Sequence, residues 1–249
     1  MRFNFGKVFQ EKSKDQTMEG IVNIPSDTNL WPKMWREINY KTYKRFKSIP
    51  LPKPIPKLFG HEELFKRSSA HDFASKPMSL QEISNIIYYS CGELPEENTE
   101  GNIAKNRRMQ ASAGSRYPLE IYLINFIKGE LVNKCYHYNV KDHSLEELWS
   151  TEIIDKKEIN KYFNYEWARD ASLALVVTGV PSRSVMKYGE RGYKYMYLES
   201  GAVLHNIQIN SMLENRRSVI MGGINEKNVE DLLDLDGENE TVILGVLVG

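Results

Sequence analysis

The sequence predicts an α+β fold in which helices wrap around a mainly antiparallel sheet, and three observations carry that expectation. Two β-rich runs in "LEIYLINFIKGELVNKCYHYN", 119–139, flank Lys128-Gly129 at hairpin spacing. "ASLALVVTGV" and "TVILGVLVG" are short continuous apolar runs, as in strands covered on both faces. Two helical patterns, near 79–92 and 191–213, alternate with these strands. A chain of 249 residues can form one large or two modest domains. Its 33 Lys and Arg balance 33 Asp and Glu, so no standing charge draws it to nucleic acid or an anionic membrane.

Taken in order, "MRFNFGKVFQEKSKDQ" lacks the apolar stretch of a secretory signal, and no run of eighteen apolar residues occurs; a cytoplasmic protein is expected. In "LWPKMWREINYKTYKRF", Trp31, Met34, Trp35, Ile38 and Phe46 recur at roughly helical spacing. They predict one amphipathic helix with a basic outer face, packed on the main domain or a second subunit, with peptide recognition as the alternative. Pro50, Pro52, Pro54 and Pro56 then alternate through "SIPLPKPIPK". Their fixed φ and missing donors predict an extended strap, dividing a helical segment and strap, 1–57, from a main domain, 58–249.

In "PMSLQEISNIIYYSCG", Ser79 and Glu82 have capping-box spacing, Leu80, Ile83, Ile86 and Ile87 share a face, and Gly92 is the stop. The polar "ELPEENTEGN", 93–102, reads as a mobile loop. A long helix is expected from Arg191 to Leu213, where Ser200-Gly201-Ala202 permit close approach of a backbone or flat ligand. Cys91 and Cys135 form no CxxC pair, and the five histidines lack HxxxH or HExxH spacing, so neither a disulfide framework nor a zinc site is suggested.

Four short stretches could carry chemistry. "FKRSSAHDF" gathers Lys66, Arg67, Ser68, Ser69 and His71 ahead of the capped helix, suited to a phosphate monoester or simply a solvated basic turn. "QASAGSRYP" and "IMGGI" are small-residue turns that let backbone approach a planar ring, although each alone is an ordinary turn. In "RGYKYMYLESG", Lys194 stands between two tyrosines, either snorkelling to water or serving a reaction.

Together, "KRSSAHDF", "ASAGSRYPLEIYLI", "YHYNVKDHSLEEL", "RGYKYMYLESGAVLHNIQ", "MGGINEKNVEDLLDLD" and "TVILGVLVG" resemble the SagB-type dehydrogenases. These are the flavin-dependent branch of the nitroreductase superfamily that oxidises azolines in thiazole/oxazole-modified peptides. The resemblance implies a nitroreductase-like fold and a homodimer with one FMN in each subunit interface. It implies that Arg67 and Ser69, with His71 where Arg or Lys is commoner, hold the FMN phosphate. Ser112 and Gly114 would lie against the flavin, with Gly222 and Gly223 near its opposite side and Asn206 as a weaker match. Lys194 and Tyr195 match the family's catalytic Lys-Tyr pair. Ser68 replaces a second arginine, Ala111 a proline and His205 a glutamine, while "LENRRSVIMGG" replaces a Gly-rich approach, so weakened cofactor affinity is an expectation.

Azoline oxidation removes a proton alpha to a carbonyl and a hydride equivalent from the neighbouring ring carbon, which requires a redox cofactor. Free Lys and Tyr titrate at about 10.4 and 10, so the base must be tuned by burial or a neighbouring charge. Which of Lys194 and Tyr195 takes the proton stays open. The implied partners are an azoline peptide, ribosomal or carrier-bound, and a cyclodehydratase or nonribosomal synthetase. The competing functions are an NAD(P)H-dependent nitroreductase-like enzyme and a flavin-poor scaffold for a cyclodehydratase.

Overall fold

The computed structural model describes residues 5–12, 14, 25, 27–95, 106–148 and 154–249. Among the described residues seven strands form one sheet: β1 (Ser48–Pro50), β2 (Leu119–Asn125), β3 (Cys135–Asn139), β4 (Ser144–Glu147), β5 (Leu173–Gly179), β6 (Ser218–Met221) and β7 (Thr241–Val248). Their spatial order is β1-β4-β3-β2-β5-β7-β6, and every neighbouring pair is antiparallel. The expected hairpin joins β2 to β3 with Tyr122 opposite His137. The α+β expectation and its mainly antiparallel sheet are borne out.

The apolar runs are continuous because both sheet faces are covered. Leu173, Leu175 and Val177 of β5 enter one core cluster, whereas Ala174 and Val176 enter the other, as the two-residue period of a strand requires. The first cluster is closed by Ile83, Ile86 and Ile87 of α4 (Leu80–Cys91) and by Met196, Val203, Leu204 and Ile207 of α6 (Arg191–Leu213). The second is closed by Val229 and Leu233 of α7 (Glu226–Leu233) and by Phe163. Ser79 caps α4 through the expected reciprocal box with Glu82. Gly92 ends that helix with φ −64°, and its need for glycine is spatial: a Cβ there would come within 2.6 Å of the Tyr88 ring and 2.7 Å of the Tyr88 carbonyl oxygen.

The proline strap contributes β1 as an edge strand, where a missing donor is tolerated, and then crosses α4. Ser84 Oγ donates to the Pro52 carbonyl at 2.5 Å, and the Ile55 N–H donates to Asn85 Oδ1 at 2.8 Å. Lys57 reaches the end of α6, donating to Leu213 O at 2.9 Å.

The single helix expected over 30–46 does not form. Only α2 (Lys33–Arg36) is α-helical, after a 3-10 turn at Thr28–Leu30, and the chain leaves it extended at Glu37 and runs without regular structure to a turn at 44–46. Distant partners decide this: Lys41 Nζ lies 2.6 Å from both Glu240 Oε2 and Tyr122 Oη, and the Tyr43 N–H donates to Glu146 Oε2 at 2.9 Å. Non-helical chain lets these residues reach the sheet, overriding a modest helix propensity. Trp35 is buried, and its indole N–H donates to Met186 O of α5 (Ser182–Tyr188) at 3.1 Å. The remaining α-helices among the described residues are α1 (Phe5–Lys12), whose Phe9 meets Tyr197 edge-on at 6.2 Å, and α3 (His61–Lys66). The acidic stretch expected to be a mobile loop falls largely outside the described residues, from position 96. Among the described residues no helix is long and apolar enough to cross a membrane.

Candidate active site

The chain leaving α3 runs beside the edge strand β6. Ser69 bridges Ser218 in a parallel sense, and the Ala70 N–H donates to Ser218 O at 3.1 Å. This seats Lys66, Arg67, Ser68 and Ala70 on one wall of a pocket of ≈ 230 Å³. Gln208 and Met212 of α6, then Asn215, Arg216, Arg217 and Ser218, form the opposite wall. Four cations line it and no carboxylate does. Glu82 orients Arg216 from behind, with Nε 2.8 Å from Oε1, and Asp72 holds Arg217 at 2.5 Å. The Gln208 Nε2 is buried and has no hydrogen-bond partner among the described residues. A buried amide N–H without an acceptor is costly, so this wall is complementary to a bound anion. The donor set therefore fits the phosphate of a flavin mononucleotide.

β6 leads from that pocket to Gly222 and Gly223. A Cβ on Gly223 would meet the Tyr165 ring at 2.6 Å, whereas Gly222 borders open space. His71 is exposed and its ring packs on Trp167 with centroids 4.8 Å apart, so it faces an aromatic neighbour and does not line the basic pocket.

A second cluster forms where α5 meets α6. Ser112 precedes the tight turn Ala113–Ser115, in which Gly114 adopts φ +57°. A Cβ at Gly114 would collide with the Tyr188 hydroxyl and lie 2.7 Å from Lys187 Nζ, so glycine is required by conformation and by space. The Tyr188 ring meets Tyr195 edge-on at 5.0 Å. Ser112 Oγ accepts from the Tyr117 N–H at 2.9 Å, and its side chain faces Glu199, one helical turn after Tyr195, and favours the charged form of that carboxyl. Gln110 Nε2 donates to Glu199 Oε1 at 3.2 Å. Burial pushes the Glu199 carboxyl up to about 7, against the opposing effects of Ser112, Gln110, Arg108 and Arg183. Lys187 is 1% exposed, with Nζ 3.6 Å from the Trp31 ring centroid. Burial, then the Arg116 charge, pulls its ammonium down to about 8.

The expected site residues thus fall into two groups within one chain. Arg67, Ser69, Gly222 and Gly223 follow β6; Ser112, Gly114 and Tyr195 meet at the start of α6, with Lys194 half-buried beside Tyr195. Lys194 and Gln208 lie on one continuous helix, about 21 Å apart at 1.5 Å per residue. Asn206 joins neither group: its Nδ2 donates to Ser90 O at 3.2 Å, and it borders a separate groove with Ile55, Phe59 and Ile209. Sequence reasoning missed Gln208, Arg216, Arg217, Lys187 and Glu199. The adjacent arginines in "NRRSVIMGG" were a usable signal, since two cations just ahead of a glycine pair suit an anionic ligand.

Residues 64–249 match the nitroreductase family. This chain belongs to it. Among curated relatives of this nitroreductase-family chain, trifolitoxin-processing protein TfxB of Rhizobium leguminosarum bv. trifolii is 25% identical over 186 residues, covering 72% of this chain and 49% of TfxB. A nitroreductase structure from Anabaena variabilis superposes with TM-score 0.71 at 23% identity, covering 99% of this chain and 46% of that one. The chain therefore spans about half the length of each. A chain in the Escherichia coli microcin synthetase McbBCD complex, solved with truncated pro-MccB17 bound, has TM-score 0.60 at 15% identity, covering 98% of this chain and 91% of that chain. Both structural likenesses establish the nitroreductase-like fold.

Proposed function

We propose that this nitroreductase-family oxidoreductase binds FMN and oxidises azoline rings of a peptide to azoles, acting as a homodimer. The observation that carries the reading is the cation-lined pocket whose buried Gln208 amide lacks an acceptor. Arg67, Gln208, Arg216 and Arg217 would hold the phosphate, and the Ser112–Gly114 turn and the Gly222–Gly223 pair would border the ring. When bound, FMN supplies the acceptor for the hydride equivalent, and molecular oxygen reoxidises it. The chain's own task is to position the peptide and take the alpha proton, at Lys194 Nζ or Tyr195 Oη. Loss of that proton and the hydride equivalent converts azoline to azole and accounts for both hydrogens removed.

The peptide substrate and a synthetase partner are supported by the names of the relatives, TfxB in trifolitoxin processing and the microcin synthetase complex with its bound pro-peptide. The homodimer is supported by the separation of the two residue groups along α6 and by the exposed face of that helix, where Tyr193, Tyr197 and Leu198 sit near exposed Gly201 and Ala202. Residues 1–57 would form the segment and strap that cover this catalytic domain, 58–249.

Anaerobic mixing of the flavin-loaded protein with an azoline peptide tests the reading. Flavin absorbance should bleach as the peptide loses two hydrogens. A protein that takes up no FMN refutes it, and bleaching by NAD(P)H alone favours the second reading, a reductase of small electrophiles, which the Anabaena nitroreductase likeness supports.

A further inference from the structure

Glu199 is a buried carboxyl that the proposed chemistry does not use. It is 5% exposed on the face of α6 that also carries Tyr195, and it reaches back to the turn before β2. Two polar side chains of that segment, Ser112 and Gln110, face it. Ser112 Oγ already accepts from the Tyr117 N–H, so the hydroxyl's own hydrogen is free to go to the Glu199 carboxyl. Gln110 donates through Nε2 to Glu199 Oε1, which leaves Gln110 Oε1 buried with no partner among the described residues. The charged groups facing Glu199 are Arg108, from the segment before the turn, and Arg183 of α5.

We propose that Glu199 is a positioning residue: in its ionised form it clamps the 112–114 turn to the helix that bears Lys194 and Tyr195, and on protonation it releases that clamp. This deepens the flavin reading and rests on it for the ligand. The hydrogen-bond inventory supplies the reason. An ionised carboxylate accepts from Ser112 and Gln110 together, matching the donors as they stand. A protonated carboxyl must itself donate, and the acceptor beside it without a partner is Gln110 Oε1, reached by turning the amide over. That exchange satisfies the orphaned oxygen but costs Glu199 an amide donor and one acceptor position. The two arrangements are thus each partly satisfied, which is the condition for a proton-linked exchange between them. The shift of the carboxyl to about 7 puts it near neutrality.

The direction follows from the raised value. Glu199 is protonated below it, so Ser112 is held best above neutrality. An isoalloxazine resting on the turn should be bound more tightly there. Loosening the turn by one hydrogen bond's net worth weakens binding by roughly threefold to tenfold. The FMN phosphate also titrates near pH 6, but that contribution is common to wild type and Glu199→Gln and cancels between them.

The test uses two readouts on the intact protein. Without flavin, the infrared absorption of a protonated carboxyl should titrate near neutrality, vanish in Glu199→Gln, and shift to higher pH in Ser112→Ala, where a donor to the ionised form is lost. With FMN, the dissociation constant from flavin fluorescence should fall between about pH 6 and 8 by that factor more in wild type than in Glu199→Gln. A carboxyl that does not titrate near neutrality, or ignores Ser112→Ala, overturns the clamp; so do parallel FMN profiles in wild type and Glu199→Gln. A carboxyl that titrates as expected in a protein that binds no FMN at any pH supports the clamp and removes the flavin reading.

Discussion

Replacing His137 by phenylalanine should destabilise the fold by about 3 kcal/mol, within the roughly 3–5 kcal/mol known for breaking a buried ion pair. His137 on β3 is fully buried between Glu120 of β2, 3.0 Å from Nε2, and Glu146 of β4, 2.8 Å from Nδ1. Burial alone would raise the Glu120 pKa, yet the His137 hydrogen bond and then the Arg183 charge, 2.6 Å away, bring it down to about 2. Against its ordinary 4.5, at 1.36 kcal/mol per pH unit, that is about 3 kcal/mol of stabilisation, shared between His137 and Arg183. Phenylalanine keeps the ring volume but leaves Glu120 and Glu146 facing an apolar edge. Burial lowers the His137 pKa and the two carboxylates more than reverse this, so its folded value is raised. Its contribution is therefore present below the unfolded value of about 6.5 and is lost as pH rises through the folded one. The Glu120 contribution is present above 4.5 and is lost as pH falls towards 2. The gap between wild type and variant should thus be widest at about pH 5 to 6 and shrink on both sides. Urea unfolding followed by circular dichroism at several pH values measures it. A gap below about 1 kcal/mol throughout, or one that widens as pH rises, refutes this account of the buried triad.

Three further outcomes are expected. Lys194→Ala and Tyr195→Phe should each slow flavin reduction by an azoline peptide in a single turnover by about 10²–10⁴-fold while FMN content stays near wild type; loss of FMN in both would make the pair cofactor support. Gln208→Leu should weaken FMN binding by about 10–100-fold, the worth of a hydrogen bond to a charged group, whereas His71→Ala should change it by less than about threefold because that ring packs on Trp167. Fluorescence titration distinguishes the two, and equal losses would return His71 to the phosphate site. Arg67→Glu and Tyr195→Phe protomers, inactive apart, should regain about a quarter of wild-type turnover when unfolded and refolded together, because half the dimers are mixed and each mixed dimer rebuilds one intact site. No recovery despite mixed-dimer formation would place the whole site within one chain.

Elements whose determinants are local in sequence were legible, and those fixed by distant partners were not. The capping box at Ser79 and Glu82 lies within four residues, so α4 could be read directly, and the bounds of α6 fall at Arg191 and Leu213 as expected. β5 and β7 were legible because a sheet covered on both faces leaves an unbroken apolar run. The stripe from Trp31 to Phe46 carried helical spacing, but Lys41 and Tyr43 are held by Glu240, Tyr122 and Glu146, whose positions no local pattern reveals. The same limit governs the candidate site. Motifs named Arg67, Ser112 and Tyr195 as one set, yet the length of α6 divides them within one chain, which no local pattern reveals. Glu199 was illegible for the related reason that "YLESG" looks like any amphipathic turn until Gln110 and Ser112 close over it. Burial converts an ordinary glutamate into a group that titrates near neutrality. What a single chain's motifs conceal here is therefore their placement along α6, with the cation-lined pocket near one end and Tyr195 and Glu199, beside the 110–114 segment, near the other.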